Sequence, residues 1–138
     1  MNRQKYQYLP FEGGGFMIKG IGIDMIEIKR IGKAIQKNNR FINRIFSEKE
    51  IEYFRTCNWK TNTIAGNFAA KEAVVKALGT GISGFKWTDV EILRDHMGKP
   101  MVLLTDNAKS IAEQKGITNI WVSISHCQEY AVANAIAQ

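Results

Sequence analysis

The sequence predicts an α+β fold, on three observations. A helical apolar period runs through residues 27–46, with Ile28, Ile31, Ile35, Ile42 and Ile45 on one arc. An alanine-rich stretch over residues 61–78 has no proline and no glycine after Gly66. The remaining apolar runs alternate as short strands joined by tight turns. Helices and antiparallel hairpins are thus grouped rather than strictly alternating.

Taken in order, residues 17–24 open a β-type run. Residues 27–46 follow as helix, with Asn38-Asn39 as the place where it kinks or divides. Ser47-Glu48-Lys49-Glu50 reads as a capping box, with Ser47 as N-cap and Glu50 reaching back, for a second helix that fades near Asn58. The third helix spans residues 61–78 and stops at Gly79-Thr80-Gly81, because glycine tolerates the left-handed C-terminal conformation. Val90 and Ile92 begin a strand, residues 95–100 turn, and residues 101–104 return. A short helix over 106–115 is stopped by Gly116. Strands at 120–125 and 130–136 close the chain around His126-Cys127-Gln128-Glu129.

The length of 138 residues suits one domain, assigned to residues 17–138. Residues 1–16 are polar and aromatic and end in Glu12-Gly13-Gly14-Gly15-Phe16. Two readings stand for them. One is a translated leader ahead of a start at Met17, since codons for Glu-Gly-Gly can spell a purine-rich ribosome-binding site. The other is a flexible extension or cloning remnant. Neither carries chemistry.

A hydrophobic fraction of 45% excludes a disordered chain. No run approaches the ~20 apolar residues of a membrane helix, and no charged start followed by an apolar run marks a secretory signal. Cys57 and Cys127 are far apart, which argues against a disulfide framework or a zinc site and for a reducing cytoplasm. A net charge of +6 points to an anionic partner. Much of it lies on Arg30, Lys33, Lys37, Arg40 and Arg44, at three- and four-residue steps roughly opposite the isoleucine arc. A solvated face is the ordinary reading of such a stripe. Its single sign, with no Asp or Glu between Ile28 and Phe46, favours an acidic macromolecule.

Four places can carry chemistry. Asp24, after an apolar strand and before a helix, suits either a helix cap or a metal ligand. Glu72 and Lys76 share a helix face, as a solvated ion pair or, flanked by Phe68 and Val75, as part of a pocket. His126, at a strand-to-turn junction, suits a polar turn or a phosphate contact. Ser125 beside it makes no triad, because adjacency in sequence is not triad geometry, and nothing else supports Cys127 as a nucleophile. Gly20-Ile21-Gly22 lacks the third glycine of a dinucleotide fingerprint, and no Gly-Lys-Ser/Thr occurs.

Taken together, these segments resemble a known family. Gly20-Ile21-Gly22-Ile23-Asp24-Met25-Ile26-Glu27-Ile28 looks like the opening motif of holo-acyl-carrier-protein synthases. Phe68-Ala69-Ala70-Lys71-Glu72-Ala73, followed by Lys76-Ala77-Leu78-Gly79-Thr80-Gly81, resembles their second and most specific motif. Gly98-Lys99-Pro100 and Ser123-Ile124-Ser125-His126 are similar to the third and fourth. Order and spacing fit from Met17 to the C-terminus.

The resemblance implies a phosphopantetheinyl transferase-like fold and transfer of phosphopantetheine from coenzyme A to a serine of an acidic acyl carrier protein, in support of fatty acid biosynthesis. Asp24 and Glu72 would be the carboxylate ligands of Mg²⁺. Glu72, directly or through a water on the metal, would take the serine proton, and Lys76 would steady the diphosphate. Gly79 and Thr80 would allow close approach of coenzyme A. Lys99, Pro100 and His126 would form the nucleotide side. A homotrimer with active sites between subunits is implied, and Arg30, Lys33, Lys37, Arg40 and Arg44 would face the carrier.

Three positions depart from the pattern. Asn67 stands where relatives often carry arginine, which removes an expected phosphate contact. Met97 replaces an asparagine before Gly98, and Cys127 a threonine after His126. Two other readings remain: a small basic nucleic-acid-binding domain, which would explain the charge but not Asp24, Glu72 and Lys76 together, and a transferase acting on other carrier domains.

Overall fold

The computed structural model describes residues 17–138; the expected leader over 1–16 lies outside the described residues. In chain order the elements are β1 (Gly20–Glu27), α1 (Ile28–Lys37), α2 (Phe41–Ile45), α3 (Glu48–Thr56), α4 (Thr61–Leu78), a 3₁₀ turn (Trp87–Asp89), β2 (Val90–Arg94), β3 (Pro100–Leu104), α5 (Asp106–Gln114), β4 (Ile120–His126) and β5 (Tyr130–Ala137). The class is α+β, as expected. The strands form two antiparallel sheets: a three-stranded one ordered β1-β5-β4, and the hairpin β2-β3.

α4 is the axis of the molecule. It lies along one face of the three-stranded sheet and presents Ala69, Ala70, Ala73 and Ala77, all buried, to the equally buried Ala131, Ala133, Ala135 and Ala137 of β5. Small residues on both sides allow the layers to approach closely. The approach is closest at β1, where a Cβ on Gly22 would collide with the carbonyl oxygen of Ala73 and one on Gly20 with that of Ala77. The paired glycines therefore serve helix–strand packing.

The other half of α4 is wrapped by α1, α2 and α3. Ile31, Phe46, Ile51, Phe54, Ile64 and Ala65 form a second buried cluster there, with the Phe46 and Phe54 rings edge to face at 4.9 Å. The Ser47 capping box is present, with Glu50 N donating to Ser47 Oγ and Ser47 N to Glu50 Oε1. Gly79 ends α4 at φ 77°, in the left-handed region.

One expectation needs correction. β1 runs on to Glu27, so Asp24 sits mid-strand, paired opposite Ala133, and caps nothing. The helical run over 27–46 divides at Asn38-Asn39, as expected, into two helices. Asn38 adopts extended backbone (φ −138°, ψ 104°) and its Oδ1 accepts from Arg40 N at 2.9 Å, a local bond that competes with helix continuation. The basic stripe is accordingly divided. Arg30, Lys33 and Lys37 lie on α1, Arg40 caps α2 and Arg44 lies on it, and all five are exposed.

Elsewhere the boundaries shift by about a residue. β3 begins at Pro100 and α5 ends at Gln114, while β4 includes His126 and β5 reaches Ala137. Among the described residues no helix is long and apolar enough to cross a membrane.

Candidate active site

The close contact of Gly22 with α4 brings Asp24, two residues further along β1, beside the helix face carrying Glu72 and Lys76. Lys76 Nζ donates to Ile23 O at 2.8 Å and forms an ion pair with Asp24 Oδ1 at 3.3 Å. Burial raises the Glu72 carboxyl above the ordinary glutamate value; the Asp24 charge raises it further, and Lys76 opposes both. Two carboxylates are thus held in each other's field with a single ammonium to balance them. Phe68 and Val75 do not wall this group as expected. Val75 is in the core, and Phe68 stacks on Trp87 at 6.3 Å.

Lys99, Pro100 and His126 meet elsewhere. They line a cavity of about 470 Å³ together with Tyr53, Arg94 and Ser123. The turn that presents Lys99 is pinned by Asp95 Oδ1, which accepts from Met97 N at 2.8 Å and Lys99 N at 2.9 Å. Gly98 takes φ 83° within it. Lys99 Nζ sits 5.2 Å from the centre of the Trp121 ring. The Met97 side chain points outward, 79% exposed.

Within one chain these two groups stay apart. Asp24 is on β1 and His126 on β4, the two edge strands, with β5 between them. Gly79 and Thr80 belong to neither group; they form the C-terminal cap of α4, one turn beyond Lys76.

Asn67, which stands where relatives often carry arginine, has partners of its own. It is fully buried, where a side chain has no direct access to solvent. Its amide donates to Glu50 Oε2 at 3.4 Å and Ile92 O at 3.0 Å, and its carbonyl oxygen accepts from Arg94 Nη2 at 2.8 Å. Next to it, Lys71 and Glu50 form a buried ion pair at 2.6 Å, and Lys71 also donates to Val90 O. Burial pushes Glu50 up and Lys71 down, while each partner's charge pulls the other back. Sequence reasoning gave Lys71 and Arg94 no role and read Glu50 only as a capping-box partner. A signal was available for the first: Lys71 is spaced from Asn67, Val74 and Leu78 so as to share their inward stripe, and a charge in such a stripe requires a buried partner.

A family model described as the 4'-phosphopantetheinyl transferase superfamily matches residues 20–135. The holo-[acyl-carrier-protein] synthase of Alkaliphilus oremlandii is 59% identical over 121 residues, which span 88% of this chain and 99% of that protein.

The chain belongs to the 4'-phosphopantetheinyl transferase superfamily.

Solved structures of superfamily members agree with its fold. The crystal structure of the Neisseria meningitidis holo-[acyl-carrier-protein] synthase superposes with a TM-score of 0.82 at 33% identity, covering 88% of this chain and 99% of that one. The Helicobacter pylori enzyme in complex with coenzyme A gives 0.76 at 33% identity, over 86% and 99%. Membership in this superfamily disfavours the nucleic-acid-binding reading.

Proposed function

We propose that this chain is a holo-acyl-carrier-protein synthase, transferring the phosphopantetheine of coenzyme A to a serine of an apo acyl carrier protein. The observation that carries the reading is the convergence of Asp24, Glu72 and Lys76 from two elements held in backbone contact. In the reaction the serine oxygen bonds to the pantetheine-side phosphorus, the diphosphate P–O bond breaks, and adenosine 3',5'-bisphosphate departs. Glu72 accepts the serine proton, directly or through a water on the metal. Lys76 is close enough to Asp24 to turn toward a diphosphate held there and to offset charge on the leaving group.

Asp24 and Glu72 would hold Mg²⁺. The donor set fits, since this ion takes few protein carboxylates and fills its shell with phosphate oxygens and water, and among the described residues no third acidic, His or Cys side chain joins the pair. The ion supplies charge neutralisation and orientation of the diphosphate. Lys99, Pro100 and His126, which line one cavity, would form the nucleotide side, and Gly79 and Thr80, at the C-terminal cap of α4, would allow close approach of coenzyme A. Two free thiols suit a reducing cytoplasm. Mass spectrometry of an apo carrier protein after incubation with the enzyme, coenzyme A and Mg²⁺ tests the reading: the carrier gains one phosphopantetheine, and an unchanged mass overturns it.

The open face of the three-stranded sheet supports an assembly of several chains. Ile21, Ile23, Met25 and Trp121 are 72%, 64%, 66% and 49% exposed there. Such a face calls for a partner, and a second copy of the chain would set its His126 edge against a neighbour's Asp24 edge. A homotrimer with sites between subunits satisfies both. Ile21→Glu leaves the core of one chain untouched and is expected to reduce the light-scattering mass from three chains to one and to abolish transfer. A monomeric wild type with full activity would refute the arrangement.

The divided basic stripe suits an acidic carrier. Reversing Arg30 or Arg40 to Glu is expected to lower kcat/KM for the carrier by about 10-fold at low salt. The loss should shrink as salt shortens the Debye length to about 8 Å and below. Coenzyme A kinetics should not move, and unchanged carrier kinetics in both variants would return the stripe to an ordinary solvated face.

A further inference from the structure

Arg94, at the end of β2, is held without an acid. Its Nη2 donates to Asn67 Oδ1 at 2.8 Å, its Nη1 to Leu93 O at 3.2 Å, and its guanidinium carbon lies 4.8 Å from the centre of the Tyr53 ring. Asn67 is itself fixed, because its amide nitrogen is spent on Glu50 and Ile92 O. Among the described residues no carboxylate forms an ion pair with Arg94. The cavity that Arg94 lines also receives Lys99 and His126 and has no Asp or Glu in its wall.

A guanidinium oriented by neutral carbonyl oxygens and an aromatic face keeps its full charge, and three of its five N–H donors remain uncommitted. A cavity with such a fixed cation and no balancing anion is built for a compact oxyanion. Coenzyme A offers two phosphate groups: the diphosphate that reacts, and the phosphomonoester on its ribose. The diphosphate has its own carboxylates and lysine at Asp24, Glu72 and Lys76. We infer that Arg94, set in place by Asn67 and Tyr53, binds the ribose phosphomonoester of the nucleotide substrate and so makes the enzyme selective for it. The inference rests on the phosphopantetheinyl-transfer reading. It assigns Asn67 a role as a positioning residue, acting through Arg94 rather than on the substrate.

Calorimetric titration of the assembled enzyme with adenosine 3',5'-bisphosphate and with adenosine 5'-monophosphate tests it, because the two ligands differ by that phosphomonoester alone. The wild type should prefer the bisphosphate. Arg94→Gln should lose about 10- to 100-fold in bisphosphate affinity, the worth of a charge-assisted bond, with little change for the monophosphate. Arg94→Lys, which keeps the charge but not the fork, should fall between them. Asn67→Ser, which keeps a small polar group, should weaken bisphosphate preference without removing it.

Transfer assays with coenzyme A and with its dephosphorylated form separate the two claims. A wild type that transfers from neither overturns the proposed function. A wild type that transfers, together with Arg94 variants that weaken both nucleotides equally or alter only the carrier KM, overturns the role of Arg94 alone.

Discussion

Replacing Glu72 with glutamine should reduce transfer at least about 1,000-fold, the scale of a lost general base, while the protein stays folded. Glutamine keeps the shape of the side chain and removes only the charge. In the native protein that charge is resisted by burial and by Asp24, so the Glu72 carboxyl ionises less readily than in the unfolded chain. The sign follows from linkage. A carboxyl raised on folding costs stability as pH climbs from the ordinary glutamate value through the raised one. With divalent cations removed, the variant should therefore match the wild type in acid and unfold at a slightly higher temperature at neutral pH. Activity gone with stability unchanged or improved marks a functional charge. Full activity in the variant would remove Glu72 from the mechanism.

The largest effect on stability is expected at Lys71. Lys71→Met leaves Glu50 buried beside α4 without its ammonium, a loss of about 3–5 kcal/mol. For a chain of this size that corresponds to a fall of roughly 10–20 °C in Tm. The pair itself is worth less than this figure, since burial opposes the charge on both partners. Glu50→Gln combined with Lys71→Met should consequently recover most of the loss. Thermal unfolding of the two single variants and the double one checks this; additive losses would mean that the residues act independently.

These two residues also mark how far the sequence could be read. α4 was legible to the residue because everything that sets its limits is local: alanine content, no proline, and a glycine at the end. Ser47 was legible for the same reason. The four motifs located Asp24, Glu72, Lys76, Lys99 and His126, and the fold brings the first three together. Pairing across distance was not legible. Nothing near Lys71 in sequence announces Glu50, and nothing near Arg94 announces Asn67 or Tyr53, because these contacts are made by the packing of α3 and β2 on α4. The break at Asn38 was legible from the Asn38-Asn39 pair. The isoleucine period alone hides it, since two short helices can both bury apolar arcs.

The contact between Gly22 and Ala73 has a bearing on how the two carboxylates would receive the proposed ion. Backbone rests directly on backbone there, so no rotamer-rich side chain lies between strand and helix to act as a spring. The separation of the Asp24 and Glu72 α-carbons is then a main-chain dimension, as stiff as the layer packing itself. A cation arriving at the pair has only two short side chains to immobilise, and little conformational entropy is left for binding to remove. A methyl group at residue 22 would act as a wedge. It would push the strand off the helix and weaken binding of the proposed ion while adding no charge and removing neither carboxylate.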